Sequence, residues 1–195
     1  MIAMKYTEEK EDLIVRKAKR FNLWLGMIGM FMMFAALSSG FIVYTAGGAD
    51  RGLKTILPNT FIYSTIVIVV SSVTMHLAYL AAKKTDFVRQ RLLLVATILL
   101  GIAFFVLQVE AWGVLTARGI VLVNPNASQS FIYIFTGMHL AHIIAGVLVL
   151  TRALIGQLRN IPQVNNVFRM ELAGIFWHFL GLLWIYIYVF LLLNQ

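Results

Sequence analysis

The chain has no cysteine, and few of its 195 residues carry a charge. Without cysteine it forms no disulfide and no thiolate metal site, and it has no thiol nucleophile. Charged residues make up 12% of the chain and hydrophobic residues 61%, whereas a soluble domain typically has about 25% charged residues. The mean hydropathy is correspondingly high, at +0.85. This composition excludes an ordinary soluble domain and predicts a membrane protein.

Acidic residues are scarcer than basic ones, so the formal net charge is +8. Such an excess can indicate nucleic-acid binding. Here, however, the basic residues lie at the ends of apolar runs and form no separate basic domain. They are better explained by orientation in a membrane, and we predict no nucleic-acid partner.

Five apolar runs are each long enough to cross a hydrocarbon core, which takes roughly 20 helical residues. Helices are expected because every backbone polar group must be paired in lipid. We therefore predict an all-α, polytopic membrane protein with a tail at residues 1–20 and a single five-helix domain at residues 21–195. The mixed charges of the tail are compatible with a short interfacial helix. The predicted spans are Phe21–Thr45, Pro58–Ala82, Leu92–Leu115, Ser130–Leu154 and Leu172–Leu193.

Lysine and arginine are distributed unevenly between the two sides of the predicted membrane domain. Thirteen lie in the tail and in the loops after the second and fourth spans: Lys5, Lys10, Arg16, Lys17, Lys19, Arg20, Lys83, Lys84, Arg89, Arg91, Arg152, Arg159 and Arg169. The opposite side has three: Arg51, Lys54 and Arg118. By the positive-inside rule, the tail and the N-terminus are cytoplasmic and the C-terminus is outside.

Polar side chains at membrane depth are few, and each is costly unless it has a partner or a task. Those that the spans contain are His76, Gln108, Glu110, His139, His142, Glu171 and His178. Imidazole suits iron, copper and zinc, so a haem or metal site is one hypothesis. His139 and His142, however, are three residues apart on one helix face and can share at most one metal. We favour neutral histidines that contact lipid headgroups or form interhelical hydrogen bonds, the latter worth about 1 kcal/mol each. We accordingly predict no catalytic, cofactor-binding or metal-binding residue in this chain.

Two acidic residues lie in or beside the predicted spans, and a proton-relay role is a hypothesis for one of them, Glu110. Glu110 lies near the outer end of its span, where a partly solvated carboxylate is a simpler interpretation than a proton relay. Glu171 starts the last span, where a carboxylate favours the positive end of the helix dipole. Its expected partner is Arg89, Arg91 or Arg152.

Four sequence motifs, in order along the chain, resemble one known family. They are LPNTFIYSTIVIVVSSVTMHLA from residue 57, TILLGIAFFVLQVEAW from residue 97, TGMHLAHIIAG from residue 136 and ELAGIFWHFLGLLWIYIY from residue 171. The third is similar to the TG-[FM]-H-x-x-H-[VI]-x-x-G signature of subunit III of the haem-copper cytochrome oxidases. The others resemble further helices of that subunit, and the similarity covers nearly the whole chain.

The resemblance implies a short, five-helix bacterial form. Subunit III carries no haem or copper, since both reside on partner subunits. It packs against the catalytic subunit I, with subunit II, a small subunit IV or a respiratory supercomplex as further partners. It also binds structural phospholipid in a cleft between a two-helix and a three-helix bundle, and it supports sustained proton uptake. Candidates for the lipid cleft are His76, Trp177 and His178.

Three departures from the family pattern concern acidic residues. Gly29-Met30 stands where the family usually has a Ser-Glu pair, and Gly181 stands where it has an aspartate. Glu110 follows Gln108 by two residues rather than three, which rotates it by about 100° around the helix. A role of these family carboxylates in proton uptake is therefore not carried over to this chain.

The leading hypothesis is subunit III of an aa3- or caa3-type cytochrome c oxidase in a bacterial inner membrane, where the holoenzyme reduces oxygen to water and pumps protons. The first alternative is subunit III of a quinol oxidase. The second is a stand-alone di-haem cytochrome b that carries electrons.

Overall fold

The computed structural model describes residues 2–48, 53, 56–123, 125–159 and 162–194, with the side chains of residues 2–10 and 12 left aside. This part of the chain contains five long helices and no strand: α1 Ile2–Ala46, α2 Thr60–Lys83, α3 Phe87–Ala117, α4 Ala127–Leu158 and α5 Gln163–Leu193. Each contains a segment long and apolar enough to cross a membrane. The all-α, five-span prediction is confirmed. Arg51, Lys54 and the side chains of Lys5 and Lys10 lie outside the described part.

The helices are longer at the basic side than the hydropathy pattern indicates. With 45 residues, α1 has a length of about 67 Å at 1.5 Å per residue. It runs unbroken through the tail, so the structure has no separate interfacial helix there. Helix α3 begins at Phe87, and its N-cap Asp86 accepts a hydrogen bond from the Arg89 backbone N–H at 3.1 Å. Arg89 and Arg91 therefore lie in the first turns of α3 rather than in a loop.

The described basic residues, apart from Arg118 at the other end, gather at one end of the helix bundle, where α1, α3 and α5 begin and α2 and α4 end. We call this the basic end. Contacts between side chains and backbone hold the helix ends together there: Gln163 Nε2 donates to the Ala82 carbonyl at 2.6 Å, and Gln157 Nε2 donates to the Phe87 carbonyl at 2.7 Å. Which side of the membrane this end faces stays a prediction.

Helices α2 to α5 form a ring in which α2 packs on α3, α3 on α4, α4 on α5 and α5 on α2. Helix α1 lies outside the ring, against α4 and α5. The division into a two-helix and a three-helix bundle stays a prediction. The ring closes because large α5 side chains fill its centre, with Trp177 and Trp184 both almost completely buried.

Aromatic packing attaches α1 to the ring. Phe34 stacks on Phe135 with 6.4 Å between the ring centroids, and Phe41 packs edge-on against Phe131 and Phe190 at 5.6 and 5.4 Å. Phe34 and Phe41 are completely buried. Apolar packing of this kind is a main source of helix association in lipid, so α1 is part of the folded domain.

Candidate functional site

Two tryptophans of α5 occupy the centre of the ring and bond to hydroxyls of α2. Trp177 Nε1 donates to Ser71 Oγ at 3.0 Å, and Trp184 Nε1 donates to Thr65 Oγ1 at 3.0 Å. Trp177 is only 1% exposed. The prediction that Trp177 lines a lipid cleft is therefore wrong, because its indole has no access to lipid. It connects α5 to α2 inside the protein.

Glycines on α3 and α4 make room for the Trp177 ring. A Cβ placed on Gly101 of α3 would lie 2.8 Å from Trp177 Cη2. One placed on Gly146 of α4 would lie 3.0 Å from Trp177 Cζ3 and 2.9 Å from Leu180 Cδ1. Small residues at such crossings let helix backbones approach closely. Trp177 thus contacts α2, α3 and α4 at once.

His139, the first histidine of the TGMHLAHIIAG motif, lies in the ring interior among aromatic side chains. Its ring centroid is 5.3 Å from that of Trp184, 5.8 Å from Phe104 and 6.5 Å from Phe34. It is completely buried, and neither ring nitrogen has a hydrogen-bond partner among the described residues. The interhelical bonds predicted for this histidine are thus not found. The close aromatic walls also leave no gap for a porphyrin plane.

An apolar residue at position 139 should stabilise the protein if His139 is only a packing element. An unpaired buried polar group costs about 1–3 kcal/mol, and its replacement by an apolar group of similar shape removes that cost. We expect His139→Leu to raise the thermal inactivation midpoint of the purified protein. A fall in that midpoint would contradict this and would indicate a polar ligand at His139.

The second histidine of the motif, His142, faces α1. Its Nδ1 lies 2.7 Å from the Met138 carbonyl oxygen, to which it donates, and its ring lies 6.1 Å from Phe34. The two motif histidines therefore point to different surroundings. Residues 139 and 142 do not converge on one site.

Buried amides connect helices at two depths of the ring. Gln108 Nε2 of α3 donates to Ser64 Oγ of α2 at 2.9 Å, while its Oε1 has no partner in the described part of the chain. Near the basic end, Gln90 and Asn166 exchange two hydrogen bonds of 3.1 Å. These amides act as interhelical polar contacts.

Glu110 lies on the outer surface of α3, and Ala111 beside it is completely buried. The position three residues after Gln108 therefore faces inward, whereas the carboxylate of this chain faces outward. Glu110 forms no ion pair with any described residue. The Glu110 carboxylate is therefore a surface group of the described helix bundle.

Glu171 pairs with an arginine that the sequence did not suggest. Arg20 Nη2 of α1 lies 2.7 Å from Glu171 Oε1 of α5. The predicted partners Arg89, Arg91 and Arg152 are wrong for this pair. Both groups are partly exposed, so the ion pair is worth at most about 1 kcal/mol. It connects α1 to α5 on the side of the basic end.

His76 and His178 form a second polar group, on the outer surface between α2 and α5. His178 Nδ1 makes a short hydrogen bond with Ser72 Oγ, and the two histidine rings are 6.2 Å apart. His76 is exposed, and Ser72 and His178 are half-buried. A cavity of about 330 Å³ beside them is lined by residues of both helices, including Val69 and Leu182.

Three arginines surround a groove at the basic end, between α4 and α5. The groove has a volume of about 600 Å³ and is lined by Arg152, Arg159 and Arg169 together with apolar residues such as Val149 and Leu172. None of the three arginines forms an ion pair with a described carboxylate. The sequence between Glu110 and Glu171 also contains no acidic residue. The groove therefore combines uncompensated positive charge with an apolar wall.

The predicted site residues thus fall into separate places rather than one catalytic centre. Within the described ranges, no three histidine or acidic side chains are close enough to hold a metal ion. Sequence reasoning missed Ser71 and Thr65 as the partners of the tryptophans, although small hydroxyl residues on an apolar helix are a usable signal. It also missed the arginine groove, because residues on different helices form it.

The comparisons with known proteins agree with the sequence motifs. A family model for cytochrome c oxidase subunit III matches residues 8–194. Subunit 3 of the cytochrome bo(3) ubiquinol oxidase of Pseudomonas aeruginosa is 33% identical over 175 residues, which cover 86% of this chain and 81% of that protein. Cytochrome c oxidase subunit 3 of Bacillus subtilis is 27% identical over 177 residues, with 88% and 84% covered. The same subunit of Bacillus sp. PS3 is 25% identical over 183 residues, with 92% and 87% covered.

The match spans almost the entire chain, and it includes all five helices and the four motifs. The predicted family is therefore confirmed. The chain belongs to the cytochrome c oxidase subunit III family, the third subunit of haem-copper respiratory oxidases, and it is a multi-pass membrane protein.

Proposed function

We propose that this chain is the accessory subunit III of an aa3- or caa3-type cytochrome c oxidase in a bacterial inner membrane. It stabilises the catalytic subunit I, binds phospholipid and supports sustained proton uptake. Haem and copper reside on the partner subunits, and subunit II, a small subunit IV or a respiratory supercomplex are further partners. The holoenzyme reduces oxygen to water and pumps protons.

The observation that carries this proposal is that the interior polar groups form hydrogen bonds between helices. Ser71, Thr65 and Ser64 accept hydrogen bonds from Trp177, Trp184 and Gln108 across helix interfaces. Such contacts fix helix positions and leave no converging set of groups for chemistry in the described interior. A structural subunit of a larger enzyme requires this kind of rigidity.

The electron donor of the holoenzyme separates the two oxidase hypotheses. The relative from Pseudomonas aeruginosa, a ubiquinol oxidase subunit, favours the quinol alternative; the Bacillus relatives favour cytochrome c. The test is to purify the complex through an affinity tag on this chain and to measure oxygen consumption with reduced cytochrome c and with ubiquinol. We expect activity with cytochrome c. Activity with ubiquinol alone would establish the alternative, and isolation of this chain without an oxidase would overturn both.

The arginine groove supports the phospholipid part of the proposal. Guanidinium groups bind phosphate through paired hydrogen bonds and are well suited to anionic headgroups. The apolar residues beside Arg152 and Arg169 suit an acyl chain, and the position at the basic end suits a headgroup. The groove therefore fits an anionic phospholipid.

Removing two of these arginines should release anionic lipid from the purified complex. We expect Arg152→Gln/Arg169→Gln to lower the retained phosphatidylglycerol several-fold, measured by lipid mass spectrometry after exchange into detergent that contains this lipid. Arg91→Gln is the control, because Arg91 is exposed near the basic end but does not line the groove. An equal loss in the control would indicate general attraction by the basic surface rather than a groove site.

A further inference from the structure

The polar group of Ser72, His76 and His178 lies within the membrane-spanning helices α2 and α5, yet it faces outward. His178 is the central residue of α5, which runs from Gln163 to Leu193. Ser72 is likewise close to the middle of α2, which runs from Thr60 to Lys83. His76 is one turn further towards the basic end. Together with Val69 and Leu182, these residues form what we call the histidine face.

Outward polar groups at this depth are unfavourable in lipid. Ionisable side chains in membrane helices almost always face the bundle interior, a water-filled cavity or another protein group. Among the described residues, Ser72 satisfies one nitrogen of His178. His76 makes no hydrogen bond in that part of the chain, although its ring has one N–H to donate. The histidine face thus has donor capacity that lipid tails do not satisfy.

The outer surface of α3 at the same depth is apolar. The middle of α3 exposes Leu99, Ile102 and Val106. Glu110 on the same helix lies about 12 Å from that middle, at 1.5 Å per residue. An apolar surface of this kind suits lipid. In contrast to α3, the histidine face offers polar groups to a partner.

The face also allows close approach. Gly181 lies one turn beyond His178 and lines the cavity of about 330 Å³ between α2 and α5. A Cβ on Gly181 would meet only Ile68 Cγ1, at 3.9 Å. Small residues beside polar ones are typical of helix–helix interfaces in membranes.

We propose that the histidine face docks a transmembrane helix of the catalytic oxidase subunit, and that this helix presents an oxygen acceptor to His76 within the membrane span. The unsatisfied imidazole N–H of His76 donates a hydrogen bond to that oxygen. The neighbouring cavity between α2 and α5 receives a side chain of the partner helix. This inference rests on the proposed function, since it assigns the surface through which this subunit joins the oxidase.

Photo-crosslinking in the intact oxidase tests the assignment. A benzophenone amino acid replaces Val69 in one variant and Ile102 in another, because these positions are 45% and 48% exposed in the isolated chain and both lie near mid-depth. Leu182, which is 67% exposed, provides a second probe on the histidine face. We expect the Val69 and Leu182 probes to crosslink the catalytic subunit at least fivefold more efficiently than the Ile102 probe.

The result overturns the assignment if the Ile102 probe crosslinks as well or better, or if the Val69 and Leu182 probes yield lipid adducts only. In either case the proposed function survives, provided that this chain still co-purifies with the oxidase. A chain that does not co-purify makes the proposed function itself fail.

Substitution of His76 tests the hydrogen bond separately. We expect His76→Leu to increase several-fold the fraction of this subunit that a detergent wash removes from the complex. His76→Gln, which keeps an N–H donor, should restore most of the retention. Equal retention in His76→Leu and in the unmodified oxidase would overturn the role of the imidazole donor.

Discussion

Replacing Trp177 with alanine is expected to destabilise the folded subunit by about 3–5 kcal/mol, the range for removal of a buried tryptophan. The indole contacts three helices at once: it donates to Ser71 Oγ at 3.0 Å and fits beside Gly101 and Gly146. The two glycines carry no side chains that could move into the space. The substitution therefore leaves a cavity at the centre of the ring and removes the hydrogen bond that Ser71 Oγ accepts, although this hydroxyl still donates to the Ile68 carbonyl.

The measurement is the rate at which the purified oxidase loses this subunit and its activity in detergent. We expect faster loss of both in Trp177→Ala, with an unchanged haem absorption spectrum, because the indole contacts no group proposed to hold haem. Trp24→Ala is the matched control, since Trp24 is 52% exposed on α1. A loss of haem in Trp177→Ala, or an equal effect of Trp24→Ala, would contradict the packing role.

Sequence reasoning located the five spans because length and hydropathy decide whether a helix crosses a membrane. It did not decide which side of each helix faces inward, because lipid tails and a protein interior are equally apolar. Trp177 and His178 are adjacent in the sequence, yet the first fills the ring centre and the second faces outward. A periodic polar face, which reveals the buried side of a soluble helix, is absent from such sequences.

Contacts between distant parts of the chain were also beyond the sequence. Glu171 of α5 pairs with Arg20 of α1 because these two helices pack together, although three helices separate them in the sequence. The arginine groove arises in the same way from residues of α4 and α5. In contrast, the TGMHLAHIIAG motif identified the family directly. It did so without indicating that His139 is enclosed by aromatic rings while His142 bonds to its own helix.

Replacing Gly101 with alanine should change the stability of the complex in the opposite direction from the same replacement at Gly113, a glycine of α3 with free space around it. An alanine Cβ at position 101 would lie 2.8 Å from Trp177 Cη2 and 3.1 Å from Val147 Cγ2. Overpacking of this kind costs about 1–3 kcal/mol, which exceeds the roughly 0.5–1 kcal/mol by which alanine favours a helix over glycine. We expect Gly101→Ala to lower the thermal inactivation midpoint of the purified complex.

Gly113 is the control on α3, because a Cβ there would have no neighbouring atom within 4 Å. Gly113→Ala should therefore leave the midpoint unchanged or raise it, so that the two substitutions differ in sign. Gly101→Ala should cost less when position 177 already holds phenylalanine, since the smaller ring vacates the position of Cη2. If Gly101→Ala and Gly113→Ala behave alike, or if the cost of Gly101→Ala is the same with phenylalanine at position 177, the Trp177 ring does not set the distance between α3 and α5 across the ring of helices. That distance would then have to rest on other contacts, such as the Gln90–Asn166 pair.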